Sequence, residues 1–137
     1  MPRTKHRVIV DTNLWISFLL TNNLARLDQL FAADKLRLLF SQELLDEFIA
    51  VAQRPKFKKY FSAADLQKLL RQISAKAEFI AVTSTINLCR DTKDNFLLSL
   101  AIDGKATHIL TGDKDLLVLH NLKKTRILTI SEYLEAF

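Results

Sequence analysis

Four carboxylates, those of Asp11, Glu47, Asp94 and Asp113, are placed along the chain so that they could do chemistry together. Asp94 shows the problem most sharply. From Asp94 to Ile102 the residues read as a helix that is apolar nearly all round at about 100° per residue, leaving only a narrow polar strip. On that wheel Asp94 falls between Leu97, Leu98 and Ala101, so its carboxylate points into an apolar face. Burying an unpaired charge is costly, and something must compensate. A helix N-terminus can do so, because its N–H groups and dipole favour an acid. A divalent cation can also do so. Asp94 alone favours the helix terminus, but four acids at one edge would repel one another and are not all explained as caps. Hard oxygen ligands suit Mg²⁺ or Mn²⁺, which keep several waters and take a few carboxylates plus a substrate phosphate. One such ion activates a water and stabilises charge on the phosphate, and two would clamp the attacking and leaving oxygens. The chemistry this layout would serve is hydrolysis of a phosphodiester.

The surrounding elements must bring the four acids to one place. Residues 7–10 form a short β-branched run, read as a strand buried on both faces and ending at Asp11-Thr12-Asn13. An apolar helix begins at Leu14, Asn22-Asn23 breaks it, and a second helix covers 24–33. A strand at 36–40 leads to Ser41, which caps a helix over 42–53 that stops before Pro55. A short helical turn at 56–60 precedes a Ser62–Asp65 capping box that opens a helix to Lys76. Strands are expected at 79–82, 107–111 and 126–129. Between them lie the apolar helix over 93–104, with Gly104 as its C-cap, and a short helix at 116–119; Ser131 caps a closing helix.

Strands alternate with helices, without a hairpin turn such as Asn-Gly, a repeat or a linker. That pattern predicts one α/β domain over 1–137, a three-layer α/β/α sandwich with a mostly parallel sheet of about five strands. Ligands in such sheets bind outside the carboxyl ends of the strands. Asp11 ends the first strand and Asp113 lies just beyond the fourth, so both fall at that edge. Asp94 starts a helix running antiparallel to the strands, which places its first turn there too. Glu47 lies nearest the apolar stripe of its helix, beside Leu44 and Val51, close to the carboxyl end of the second strand.

Composition narrows the class. Apolar residues make up 49% and charged residues 26%, with two Gly and two Pro, which is a folded rather than a disordered composition. No apolar run approaches the roughly 20 residues of a membrane span, and the basic start is not followed by a signal-peptide core, so no membrane association is expected. The single cysteine, Cys89, precludes an internal disulfide and fits a reducing cytoplasm, and the three histidines lack zinc spacing. The net charge of +5 is compatible with a polyanionic partner. Arg54, Lys56, Lys58 and Lys59 cluster around Pro55, a candidate RNA-binding patch or simply a solvated surface.

In order along nearly the whole chain, the motifs resemble those of the PIN domain family, and within it the branch of toxins from toxin–antitoxin pairs. The opening strand and Asp-Thr-Asn stand at Val8 to Asn13; the Ser-x-x-Leu-x-x-Glu helix at Ser41 to Glu47; Arg-Pro-Lys-Phe at Arg54 to Phe57. Arg90-Asp91-Thr92-Lys93-Asp94-Asn95 matches Arg-Asp-Pro-x-Asp-Asn, with Thr92 in place of the common Pro, and Thr111 to Leu117 matches Thr-Gly-Asp-x-Asp-Leu-Leu. The resemblance implies a magnesium- or manganese-dependent ribonuclease in which Asp11, Glu47, Asp94 and Asp113 form the metal-binding catalytic site. Asn13, Ser41 and Thr111 would orient those carboxylates by hydrogen bonds. Asp91 and Asp115 are extra acids; Asp91 is read as a helix cap, with a metal ligand or a merely exposed acid as the alternatives. The resemblance also implies a homodimer, an antitoxin partner and a cytoplasmic protein. The competing reading is a PIN-fold RNA- or protein-binding module with weak or no nuclease activity. An aspartyl-phosphate phosphatase would want Asp-x-Asp after the first strand, where position 13 is Asn.

Overall fold

A computed structural model describes residues 6–21 and 36–136. The expected helix over 24–33 lies outside them. The core element is a six-stranded sheet in the order β3-β2-β1-β4-β6-β5. Its strands are β1 (His6–Val10), β2 (Leu36–Phe40), β3 (Ala77–Phe79), β4 (His108–Leu110), β5 (Asn121–Leu122) and β6 (Thr125–Leu128). All pairs are parallel except β5 with β6. Among the described residues seven helices connect or flank them: α1 (Thr12–Thr21), α2 (Gln42–Ala52), α3 (Pro55–Lys58), α4 (Ala63–Lys76), α5 (Thr92–Asp103), α6 (Lys114–Leu117) and α7 (Ile130–Ala136). Successive residues of a strand face opposite sides, and Val8, Ile9 and Val10 are all buried, so both faces of the central strand are covered. The result is the expected α/β/α arrangement.

The strand order reverses once. From β1 the chain moves outward through β2 and β3, returns to the other side of β1 as β4, runs out to β5 at the rim and folds back as β6 between them. The switch point lies between β1 and β4, where Val10 pairs with Leu110, one residue before Asp11 and Thr111. Aromatic packing fixes the helices beside this point. Trp15 of α1 lies 6.0 Å from Phe40 and 6.3 Å from Phe48 of α2, ring centre to ring centre, and all three are buried.

Several expectations shift. β3 sits at Ala77–Phe79 rather than at 79–82, because its partners are set by β2: Leu38 pairs with Ala77 and Phe40 with Phe79. A hairpin does occur. β5 and β6 join through Lys123 and Lys124, with Lys123 at φ 53°, which makes six strands rather than five. Gly104 caps α5 at φ −88°, outside the left-handed region, and is needed for space. A Cβ there would lie 3.0 Å from Leu39 Cδ1 and 3.1 Å from the Leu100 carbonyl oxygen. Thr129 rather than Ser131 opens α7: its hydroxyl accepts from Glu132 N (3.1 Å) while Glu132 Oε1 accepts from Thr129 N (3.0 Å).

Candidate active site

At the switch point the backbone does the first part of the positioning. Asp11 N–H donates to the Leu110 carbonyl (3.0 Å), which extends the β1–β4 ladder by one residue. The next pair is made by side chains. Thr111 Oγ1 donates to Asp11 Oδ2 (2.8 Å) and accepts from Asp113 N (3.0 Å), so one buried hydroxyl ties both acids to the end of β4. Asp11 Oδ1 accepts from Asn13 N (3.3 Å). Asn13 therefore supports Asp11 through its backbone, while its side chain is exposed at the cleft wall. Burial raises the Asp11 pKa, the bonds from Thr111 and Asn13 lower it, and the charges of Asp113 and Glu47 raise it again.

Asp94 stands in the first turn of α5 and is only 5% exposed. One carboxylate oxygen each from Asp94, Asp113 and Asp115 lies within 4.8 Å of the other two. The Asp94 carboxyl is pushed up to about 7, first by burial and then by the charge of Asp113, by a shared hydrogen bond with it, and by Asp91 and Asp11. Its Oδ2 is buried and has no hydrogen-bond partner among the described residues. Asp113 also caps α6, accepting from Asp115 N at 2.9 Å. Asp115, an extra acid in the sequence, is turned back toward Asp94 by the short helix, and Arg90 lies 3.7 Å from its carboxylate.

Glu47 enters from the other wall. Ser41 caps α2 by accepting from Leu44 N (3.0 Å), so it acts on Glu47 through the helix and not by a bond to a carboxylate. Phe48, fully buried, anchors the turn that aims Glu47 into the cleft. There its Oε1 lies 3.2 Å from Lys93 Nζ. Asp91 is the N-cap of α5, accepting from Lys93 N (2.9 Å), and it lines the cleft as well. Arg54, at the start of α3, lines the cleft; Lys56, Lys58 and Lys59 are exposed along α3 beyond it. Lys56 and Lys59 lie over the rings of Phe57 and Tyr60 at 4.9 Å and 5.3 Å.

Two contributors were missed from the sequence. Lys93 had no assigned role, and a lysine in a helical turn carries no signal that it reaches across a cleft. Asn95 stands in the sequence only as part of the Arg90 to Asn95 motif. Its Oδ1 accepts from Leu88 N (3.0 Å) and Cys89 N (2.8 Å) while its Nδ2 donates to the Cys89 carbonyl (2.9 Å). That clasp holds the loop carrying Arg90 and Asp91 against the start of α5.

A sequence model of the PIN domain family matches residues 7–115, from the first strand through the last clustered acid. The chain belongs to the PIN domain family. PIN domains are generally nucleases and typically use divalent metal ions. The chain is also similar to an uncharacterized protein of Methanocaldococcus jannaschii, 30% identical over 148 aligned residues that cover 100% of this chain and 95% of the relative. Among the described residues, no helix is long and apolar enough to cross a membrane.

The residues of this PIN domain fit a hard divalent cation. Its cleft is lined by five carboxylates, those of Asp11, Glu47, Asp91, Asp94 and Asp113, against the two cations Arg54 and Lys93. The unpartnered Asp94 Oδ2 is the more telling observation, because a buried carboxylate oxygen without a donor is costly unless a cation satisfies it. All the donors are oxygens, as Mg²⁺ and Mn²⁺ prefer.

Proposed function

We propose that the protein is a Mg²⁺- or Mn²⁺-dependent endoribonuclease that hydrolyses RNA phosphodiester bonds in this cleft. The observation that carries the reading is Asp94, buried with an orphaned oxygen and meeting Asp113 and Asp115 within 4.8 Å. Asp94 and Asp113 would hold the cation, with Asp11 beside them and Glu47 facing the same space. A bound ion supplies charge to polarise the phosphate and to acidify a water. The chain's own residues do the rest. Thr111 fixes the directions of Asp11 and Asp113, and the Asn95 clasp fixes Asp91. Leu44, Val51, Phe96 and Leu97 form the apolar part of the cleft wall. Hydrolysis adds water across one P–O bond: its oxygen bonds to phosphorus, the opposite P–O bond breaks, and the leaving oxygen takes a proton.

RNA as the substrate is supported by the basic run from Arg54 at the cleft through Lys56, Lys58 and Lys59. A toxin role, with an antitoxin partner and a homodimeric state, belongs to the same proposal and is supported by the Arg-Pro-Lys-Phe likeness at Arg54 to Phe57. The test is cleavage of a mixed single-stranded RNA by wild type and Asp94→Asn, each with Mn²⁺ and with EDTA. Cleavage by wild type with metal alone supports the enzyme. Equal cleavage by both proteins, which marks a contaminating nuclease, or none by either leaves the enzyme reading unsupported on that substrate and the PIN-fold binding module in its place.

A further inference from the structure

We infer that the Lys93 ammonium is a resident cation of the cleft, so that the site takes one divalent ion and Lys93 occupies the place a second would fill. The inference rests on the reading of the cleft as a cation-assisted phosphodiesterase. Two poles are visible. At one, Asp94, Asp113 and Asp115 bring an oxygen each within 4.8 Å, and Asp94, 5% exposed, holds an oxygen with no partner. At the other, Glu47 Oε1 already has a cation 3.2 Å away, the Lys93 ammonium. Asp11 lines the same cleft as Asp113 and Glu47.

Helix stability does not explain a lysine here. It stands in the first turn of α5, where the helix dipole disfavours a cation. Its flexible stem instead carries the charge from α5 across to α2. An ammonium has three donors, and Glu47 takes one, which leaves two for the non-bridging oxygens of a phosphate held at the other pole. The side chain of Lys93 is 61% exposed, so a substrate can reach it from solvent. A compact ammonium suits a position that must meet both a carboxylate and a phosphate.

The experiment counts ions and does not depend on turnover. Metal-free wild type, Lys93→Met and Glu47→Gln are titrated with Mn²⁺, and bound ions per chain are measured by electron paramagnetic resonance of the free ion and by calorimetry. Thermal melts check that each variant folds. Wild type should bind one Mn²⁺, Lys93→Met two, and Glu47→Gln one with affinity within about threefold of wild type. A companion assay at a Mn²⁺ level that fills only one site should show kcat of Lys93→Met reduced about a hundredfold, with Lys93→Arg restoring part of it; an unreduced kcat overturns the inference. Two ions on wild type, or one on Lys93→Met, overturns the inference while the nuclease reading stands. Loss of binding in Glu47→Gln also overturns it, by making Glu47 a ligand of the first ion. If wild type binds no Mn²⁺ at all, the cation reading of the cleft falls and takes this inference with it.

Discussion

Replacing Asp94 with Asn should stabilise the metal-free protein at alkaline pH, and the size of the effect follows from the site. Moving a carboxyl from its ordinary 3.8 to about 7 corresponds to about 4 kcal/mol, at about 1.4 kcal/mol for each tenfold. The sign is set by proton counts. Between about pH 4 and 7 the folded protein keeps the Asp94 proton and the unfolded chain has lost it, so this group's contribution to stability falls as pH rises and levels off above 7. The amide removes that loss. It also leaves a buried polar atom to be satisfied, at a cost of about 1–3 kcal/mol. The net gain at pH 8 in EDTA should be about 1–3 kcal/mol, or roughly 3–10 °C in Tm for a domain of this size. The gain should shrink by about 2–3 kcal/mol at pH 5, where the folded wild type is already protonated. Urea melts of the two proteins at both pH values measure the difference directly. A gain that is equal at pH 5 and 8, or a loss at pH 8, would refute the argument that Asp94 is held in the fold against its own charge. With Mn²⁺ present the ordering should reverse, since the ion stabilises the wild type by mass action and the variant has lost a ligand.

Three further outcomes are expected. In Thr111→Val, which is nearly isosteric, Asp11 and Asp113 lose their shared hydroxyl, and Mn²⁺ affinity measured by calorimetry should fall about 10–100-fold. His108, buried against His6 and Tyr133, is held down to about 4 by burial and by the charges of His6 and Arg126. Its contribution is full above about pH 6.5 and is lost as pH falls toward 4, by about 3 kcal/mol; His108→Phe should flatten that acid limb in urea melts. Charge reversal at Lys56, Lys58 and Lys59 should reduce the slope of log Kd for RNA against log salt by about 2–3, and an unchanged slope would place the RNA elsewhere.

The central sheet and the acidic edge were legible because burial leaves a strong pattern. Val8 to Val10 and Leu38 to Phe40 are unbroken apolar runs suited to covered strands, and Asp11 closes the first of them. The periphery was not legible. The run at 79–82 has strand composition, yet an edge strand takes its register from its neighbour, and Ile80 instead packs over Gly104 while its N–H still reaches the Phe40 carbonyl. The β5–β6 hairpin is two residues deep and turns on lysines, with no glycine to mark it. Within the site, the acids could be placed because each follows a strand or opens a helix. Lys93 and Asp115 could not, because the direction of a long side chain and the curl of a four-residue helix depend on packing that no periodicity records.

The outermost strands have a consequence for how copies of this chain could meet. At one rim β3 is three residues long, and Glu78 in it is engaged by Arg7 through two hydrogen bonds of 3.1 and 2.9 Å. At the other, β5 is two residues long and ends in a lysine pair. A free rim is a template for pairing with another molecule, and short, charged rims suppress it. Among the described residues neither rim offers a long ladder, which disfavours two chains merging their sheets into one continuous sheet. The same short, charged rims work against edge-to-edge stacking and fibre growth when the protein is concentrated.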